Sequence, residues 1–261
     1  WISCLLKADF FRIVTRDRSL QSPSDQLVVS LRDNSSLTGI KNLEDIIIKN
    51  FIDSLTPLPY LDSSGRLLDI GSGAGFPSIP LKIGCPELEV QLVEASRKKV
   101  SFIKHLIRTL GLKGVSVLHG RIEKMEHPGR PFRTIISRAF RRPAPLLQLV
   151  SPLLEPSTTL VAMLGPTTTE EHSELEALAL TESLEVSRIV ALELPWNRGG
   201  RTLVFFKKFK SFIVHSLIIA FIIYIKNVIY CLIIPFLNKC ITDINIIVIN
   251  SFKLIDFFIK E

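Results

Sequence analysis

Apolar residues follow two alternating patterns along this chain between Leu67 and about Leu180. Short apolar runs with strand character occupy 67–70, 89–94, 115–118, 132–136 and 159–164. Between these runs, apolar residues recur every three or four positions, which is typical of helices that pack on one face. The regular alternation of strands and helices predicts a mostly parallel, doubly wound α/β sheet.

Further elements flank this alternating region. Ahead of the sheet, a series with helical spacing predicts an amphipathic helix ending before Pro57: Leu43, Ile46, Ile47, Phe51, Ile52 and Leu55. Asp53 and Ser54 fall at the end of this helix, where we expect solvated side chains. After the last helix, two strands at 183–194 and 202–208 are predicted to form a β-hairpin.

The first strand, 67–70, breaks into a turn that contains Gly71, Gly73 and Gly75. Glycine adopts positive φ and lets a ligand approach the backbone closely, so this turn is typical of a nucleotide site. By itself it fits an ordinary β-to-α turn equally well. Phe76 stands where a dinucleotide-binding fingerprint has Gly or Ala. An NAD-dependent oxidoreductase is therefore the weaker alternative.

Two charged residues come at the carboxyl ends of later strands, where ligands bind in open α/β sheets. Glu94 ends the second strand 23 positions after Gly71, close to the spacing at which a carboxylate binds a nucleotide ribose. Arg138 follows the fourth strand. The alternatives are a solvated carboxylate for Glu94 and a purely structural ion pair for Arg138. The loop 119–123 after the third strand flanks the adenine in folds of this kind.

The composition changes abruptly after Lys208. Residues 209–261 contain 16 of the isoleucines and none of the 13 glycines. Together with the pattern of strands and helices, this change of composition predicts three parts: an N-terminal helical segment at 1–60, a Rossmann-like domain at 61–208 and a hydrophobic tail at 209–261. The stretch 212–236 is long enough to span a bilayer, but Lys226 at mid-span would be costly. Two hypotheses are open for the tail. It contacts a membrane, or it derives from AT-rich sequence read past an ancestral stop codon.

Charge and cysteine content narrow the class of protein. The net charge of +7 suits a polyanionic partner without requiring one. The four cysteines lie far apart with no C-x-x-C pair, so neither a zinc site nor a disulfide framework is indicated. These features favour a protein of the reducing cytoplasm that binds no metal.

Several segments in a fixed order resemble the glucose-inhibited division protein B family, also called the ribosomal RNA small subunit methyltransferase G family. The segments are 67–80 with Glu94, 120–123, 136–140 and 201–205, and the resemblance covers about residues 37–208. It implies a class I S-adenosylmethionine-dependent methyltransferase: a Rossmann-like sheet with helices on both faces, N-terminal helices and a C-terminal β-hairpin. The implied reaction moves a methyl group from S-adenosyl-L-methionine to N7 of a guanine in 16S ribosomal RNA.

The resemblance also implies roles for individual residues. The cofactor-binding residues would be Gly71, Gly73, Phe76, Glu94, Ile122, Glu123 and Arg138. Within this set, Glu94 would take the ribose hydroxyls, and Ile122 and Glu123 the adenine. Arg138 would also be catalytic at the mouth of the active site, and Arg201 would bind the RNA substrate. The implied partner is 16S ribosomal RNA or the small ribosomal subunit, and the expected state is a monomer.

Four positions depart from the family pattern. Asn50 stands where the family usually has His, Leu164 replaces a Lys before Gly165, Gly39 replaces Ala, and a Trp is missing near Arg32. Loss of the lysine would weaken phosphate contacts. These departures leave a second hypothesis open, a diverged and non-catalytic RNA-binding or membrane-tethered pseudoenzyme.

Overall fold

The computed structural model describes residues 42–124, 131–138, 143–209 and Tyr224. The described strands are β1 (Arg66–Ile70), β2 (Glu89–Glu94), β3 (Val115–His119), β4 (Thr134–Arg138), β5 (Thr159–Leu164), β6 (Leu184–Glu193) and β7 (Gly200–Lys208). The helices of this part are α1 (Leu43–Ile46, continued by a π-helical Ile47–Ile52 and by Asp53–Leu55), α2 (Ser78–Gly84), α3 (Arg97–Thr109), α4 (Pro143–Val150) and α5 (Thr169–Thr181). Short 3₁₀ turns lie at Leu58–Tyr60, Ile122–Lys124, Ser151–Leu153 and Pro195–Asn197.

The seven strands form one sheet in the order β3-β2-β1-β4-β5-β7-β6. The first five strands are parallel, whereas β7 runs antiparallel to both β5 and β6. The chain moves outward from β1 to β3 and then returns to β4 on the other side of β1. This reversal opens a crevice at the carboxyl ends of β1 and β4, where such sheets bind ligands. The predicted doubly wound sheet with a closing hairpin is confirmed.

Alternate side chains of the central strands enter two separate cores, one on each face of the sheet. The first face carries α1, α2 and α3, and its strand residues include Leu67, Leu92, Ile136 and Val161. The second face carries α4 and α5, and its strand residues include Leu68, Val93, Ile135 and Leu160. Strands buried on both faces carry near-continuous apolar runs, which explains the pattern of the sequence.

Several predicted boundaries move by one or two residues. Strand β4 begins at Thr134 rather than at 132, and Arg138 is its last residue. The N-cap of α5 is Thr168: its Oγ1 accepts from the Glu171 N–H, and the Thr168 N–H donates to Glu171. Ser96 precedes α3, but its side chain makes no capping bond.

The chain divides into two compact units, Trp1–Phe209 and Lys210–Glu261. Among the residues that the structure describes, no helix combines the length and apolarity needed to cross a membrane. The predicted membrane contact through the tail falls on residues outside the described ranges, as do Arg32, Gly39 and residues 1–41 of the predicted N-terminal helical segment 1–60.

Candidate active site

The glycine turn after β1 leaves room for a ligand. Gly71, Gly73 and Gly75 have φ values of 72°, 60° and 96°, a region that other residues adopt only with strain. A Cβ at Gly73 would meet no atom within 4 Å, so this residue faces open space. A Cβ at Gly75 would instead lie 2.7 Å from Ile79 Cγ1. Gly73 therefore borders the ligand crevice, whereas Gly75 permits close packing of α2.

Glu94 holds the glycine turn in place. One carboxylate oxygen accepts from the Gly73 N–H at 2.9 Å, and the other accepts from the Ser96 N–H at 2.8 Å. The turn is also tied to β2, because the N–H groups of Gly71 and Ser72 both donate to the carbonyl of Val93. A carboxylate offers about four acceptor positions, so two remain for a ligand. Such an arrangement fits the paired hydroxyls of a ribose.

Asp69 is a second carboxyl group below this turn, fully buried within β1. Burial raises its pKa to about 7, and hydrogen bonding by Ser78 and the charge of Arg138 oppose this rise only in part. Neither Asp69 oxygen makes a well-aligned hydrogen bond within the described ranges, and the buried Ser72 hydroxyl also lacks a partner there. Asp69 was not among the predicted site residues, although an acidic residue inside an apolar strand, just before a glycine turn, could have indicated it.

Arg138 projects from the end of β4 onto α1. Its Nη1 donates to the carbonyl of Lys49 at 2.9 Å, and its Nη2 donates to Asn50 Oδ1 at 3.3 Å. The guanidinium also lies 5.1 Å from the centre of the Phe76 ring, a cation–π distance. Burial lowers the pKa of Arg138, while the charges of Asp53 and Asp69 raise it. Arg138 thus connects α1 with the residue that follows the glycine turn.

The expectation that Asp53 and Ser54 are solvated is wrong. Asp53 is only 3% exposed and Ser54 is fully buried. Asp53 is stabilised by two guanidinium groups, with Oδ1 at 3.0 Å from Arg201 Nε and Oδ2 at 3.5 Å from Arg138 Nη1. The Ser54 hydroxyl donates to the Asn50 carbonyl. Arg201 keeps its side chain 24% exposed at the start of β7.

The two residues expected at the adenine lie in the 3₁₀ turn Ile122–Lys124, where Ile122 is buried and Glu123 exposed. The Gly120 N–H donates to the Glu94 carbonyl at 3.0 Å, which brings this loop beside the end of β2. Of the departing residues, Asn50 contacts Arg138 directly. Leu164 packs against the core of the second face, opposite the face on which Arg138 meets α1.

These residues fit S-adenosyl-L-methionine on chemical grounds. The cofactor contains a ribose, a cationic ammonium and sulfonium, and a carboxylate. The crevice offers the acceptor oxygens of Glu94, the buried carboxyl of Asp69 and the guanidinium of Arg138. Open space at Gly73 lets such a ligand reach the backbone. The acceptor oxygens of Glu94 suit the ribose hydroxyls, the carboxyl of Asp69 suits a cationic group, and the guanidinium of Arg138 suits the carboxylate.

The sheet order and the glycine turn define the class of protein, a class I S-adenosylmethionine-dependent methyltransferase fold. Two solved structures share it: a SAM dependent methyltransferase from Aquifex aeolicus, with TM-score 0.51 and 18% identity over 66% of this chain and 97% of that one, and the mitomycin 7-O-methyltransferase MmcR, with TM-score 0.53 and 15% identity over 77% of this chain and 67% of that one. At these identities the likeness concerns the fold alone.

The family follows from sequence similarity. The family model GidB, rRNA small subunit methyltransferase G, matches residues 25–199. The ribosomal RNA small subunit methyltransferase G of Geobacillus kaustophilus is 35% identical over 191 residues, covering 71% of this chain and 80% of the relative. That of Myxococcus xanthus is 41% identical over 175 residues, covering 66% and 80%. The chain belongs to the rRNA small subunit methyltransferase G family.

Substituting Asp69 with Asn is expected to change how stability depends on pH. The unfolded chain ionises Asp69 near pH 4, whereas the folded protein holds its proton up to about pH 7. The wild type therefore loses stability as pH rises through this window, by about 1.4 kcal/mol per unit. Relative to wild type, Asp69→Asn should gain about 3 kcal/mol between pH 5 and pH 8 in urea unfolding.

The exposed Asp62 provides a control for this experiment. Hydrogen bonds from Ser64 lower the pKa of Asp62, so its ionised form is favoured in the folded state and Asp62→Asn should show no such gain. An equal pH dependence of unfolding in wild type and Asp69→Asn would contradict the buried, proton-retaining Asp69.

Proposed function

We propose that the protein transfers a methyl group from S-adenosyl-L-methionine to N7 of a guanine in 16S ribosomal RNA. The observation that carries the proposal is the position of Arg138, at the end of β4 and over Phe76, beside the glycine turn. A guanidinium in this position supports a role for Arg138 at the mouth of the cofactor crevice. The relatives' name, ribosomal RNA small subunit methyltransferase, supports the substrate.

The chemistry needs little from the protein beyond orientation. The N7 atom of guanine carries an in-plane lone pair and no proton, so attack on a methyl group requires no general base. S-adenosyl-L-methionine supplies the electrophilic methyl group when it is bound. The residues around the crevice then have to orient both reactants and exclude water, which contributes through near-attack positioning.

The proposed contacts follow the crevice from one end to the other. Cofactor-binding residues are Gly71, Gly73, Phe76, Glu94, Ile122, Glu123 and Arg138. Glu94 binds the ribose hydroxyls, and Ile122 with Glu123 borders the adenine. Arg138 is the catalytic residue that holds the cofactor and the target base in register. The target base must be unpaired to reach the crevice, as enzymes that modify bases require.

On the RNA side, we place Arg201 among the substrate contacts. Its guanidinium donates to Asp53 and to the Gly200 carbonyl, and its exposed part faces solvent, where a phosphate could approach. The chain's net charge of +7 favours a polyanion. We propose that a monomer acts in the cytoplasm on 16S ribosomal RNA or on the assembling small subunit.

Labelled methyl transfer tests the substrate. The protein is incubated with S-adenosyl-L-methionine carrying a radioactive methyl group and with small-subunit or large-subunit ribosomal RNA transcribed in vitro, which carries no modification. We expect label in the 16S RNA and at least tenfold less in the large-subunit RNA. Cofactor binding without transfer to either RNA would favour the pseudoenzyme instead, and binding of NAD in place of S-adenosylhomocysteine would favour an oxidoreductase.

A chain that ends at Lys208 tests the proposed domain organisation. The described sheet is complete at β7, which ends at Lys208, and the family model ends at residue 199. We therefore expect the shortened chain to fold and to bind S-adenosylhomocysteine within about twofold of the full chain, measured by calorimetric titration. A shortened chain that unfolds or loses the cofactor would show that 209–261 belongs to the catalytic unit.

A further inference from the structure

One buried carboxylate joins the two arginines of the site. Asp53, in α1, contacts Arg201 of β7 at 3.0 Å and Arg138 of β4 at 3.5 Å, through different oxygens. The two arginines come from strands on either side of β5 in the sheet order. No sequence motif connects them, because Asp53 is 85 residues from Arg138 and 148 from Arg201.

Other contacts also attach α1 to the connection between β6 and β7. Ile48 and Ile52 of α1 pack against Leu194 at the end of the hairpin. Asp45, about two turns earlier in α1, pairs with Arg198 at 3.0 Å. A buried ion pair contributes little net stability compared with apolar packing, although removing one partner leaves the other charge uncompensated. Attachment of α1 therefore does not by itself explain why one carboxylate lies between two arginines.

The electrostatics indicate what Asp53 does. The positive charge of Arg201 lowers the pKa of Arg138, and the charge of Asp53 raises it. The two guanidinium groups repel each other, and the carboxylate between them offsets that repulsion. Arg138 also donates to the Lys49 carbonyl and Asn50, so its orientation is set by one turn of α1.

We propose that Asp53 is a positioning residue that fixes Arg138 and Arg201 in one arrangement, and so couples cofactor binding to RNA binding. The inference rests on the proposed function of the site. Asp53 touches neither reactant in this account and acts through the two arginines. Arg201 is anchored by its Nε on Asp53 and by its Nη1 on the Gly200 carbonyl, which leaves its Nη2 to donate to an RNA phosphate. Arg138 meanwhile stays over the Phe76 ring.

The test is Asp53→Asn in the full-length protein, with Asp45→Asn as the matched control. Both substitutions neutralise a carboxylate in α1 that pairs with an arginine from the hairpin region. We expect Asp53→Asn to raise the KM for 16S RNA about tenfold and to lower kcat at least tenfold. The melting temperature should fall, because the substitution removes the shared counter-charge of two guanidinium groups, but the protein should stay folded at the assay temperature. Asp45→Asn should keep both constants within about twofold of wild type.

The effect of the cofactor on RNA affinity is a measurement that a merely structural role of Asp53 would leave unchanged. In wild type, saturating S-adenosylhomocysteine should tighten RNA binding about fivefold, and in Asp53→Asn this gain should fall below twofold. Arg201→Ala should weaken RNA binding in the wild-type background but add less than twofold in the Asp53→Asn background, because the two residues act as a unit.

Each remaining outcome has a definite meaning. Wild-type constants and coupling in Asp53→Asn would overturn the proposal. If Asp53→Asn does not fold, the coupling is measured in Arg201→Gln, which breaks the bridge on the RNA side, and wild-type coupling in that variant would overturn the proposal. Unfolding of both variants would assign Asp53 a structural role and reject the inference. Failure of the wild type to methylate 16S RNA would instead reject the proposed function, while the binding measurements still test the coupling.

Discussion

Replacing Arg138 with alanine is expected to lower methyl transfer to 16S RNA at least 100-fold while the chain stays folded. The guanidinium is held by the Lys49 carbonyl, Asn50 and Asp53 and lies over Phe76. Alanine removes every one of these contacts at the mouth of the crevice. Only 21% of the side chain is exposed, so the substitution removes contacts within the site rather than at the solvent-exposed surface. Transfer rates at saturating cofactor, with thermal melting alongside, measure both parts of the prediction.

Arg133→Ala is the control for this substitution. Arg133 lies just before β4, at the opposite end of the strand from Arg138, and pairs with Asp62 at 3.3 Å near the surface. Its loss should leave transfer within about twofold of wild type. Arg138→Lys keeps the charge but loses the planar fork of donors, so we expect an intermediate rate. An unchanged rate in Arg138→Ala would remove this residue from the catalytic assignment.

The second large effect concerns Glu94. Glu94→Ala should weaken binding of S-adenosylhomocysteine about 100-fold, because it removes the proposed ribose acceptors and the partner of two backbone N–H groups. Hydrogen bonds to a charged group contribute about 1.5–3 kcal/mol each, which supports this magnitude. Calorimetric titration measures the dissociation constant directly.

Glu89→Gln is the matched control for Glu94. Glu89 begins the same strand, at the opposite end of β2, and its more exposed carboxylate lies 3.6 Å from Arg66. Cofactor affinity should be unaffected there. Glu94→Gln, which retains one acceptor oxygen and the side-chain shape, should fall between Glu94→Ala and wild type. Equal affinities for Glu94→Ala and Glu89→Gln would contradict the ribose assignment.

Much of the fold could be predicted from the sequence because its elements carry strong local patterns. Strands β2 and β5 have the predicted bounds, 89–94 and 159–164, since a buried strand needs an apolar run that turn residues end. The start of α5 is less well defined by the sequence, because adjacent threonines, Thr168 and Thr169, can both cap a helix. Only the capping box with Glu171 distinguishes them.

The candidate site was predictable only in part. The Gly73 N–H donates to Glu94 and the Gly71 N–H donates to the Val93 carbonyl. These bonds join the glycine turn to the next strand, and fixed spacing along the chain reveals such a unit. The contact of Asp53 with Arg138 and Arg201 depends on tertiary packing across 85 and 148 residues. A polar pair at a helix end fits solvent exposure equally well in the sequence, so Asp53 was expected to be solvated.

The structure also gives the departing residues a physical context. Asn50 Oδ1 accepts from Arg138 Nη2 at 3.3 Å, so this position still helps to orient the arginine. Its buried Nδ2 has no partner within the described part of the chain. Leu164 packs on the second core, away from the face where Arg138 meets α1. Any loss of phosphate affinity from the missing lysine is therefore separate from the cofactor crevice.

Identification of the methylated nucleoside is the most direct test of the proposed methyl transfer to guanine N7. 16S RNA labelled by the wild-type protein is digested to nucleosides and resolved by chromatography with mass spectrometry. The account predicts that the label migrates as N7-methylguanosine, and that Arg138→Ala and Glu94→Ala remove this peak while Arg133→Ala and Glu89→Gln retain it. Absence of N7-methylguanosine, or label on another base or on ribose, would contradict the account.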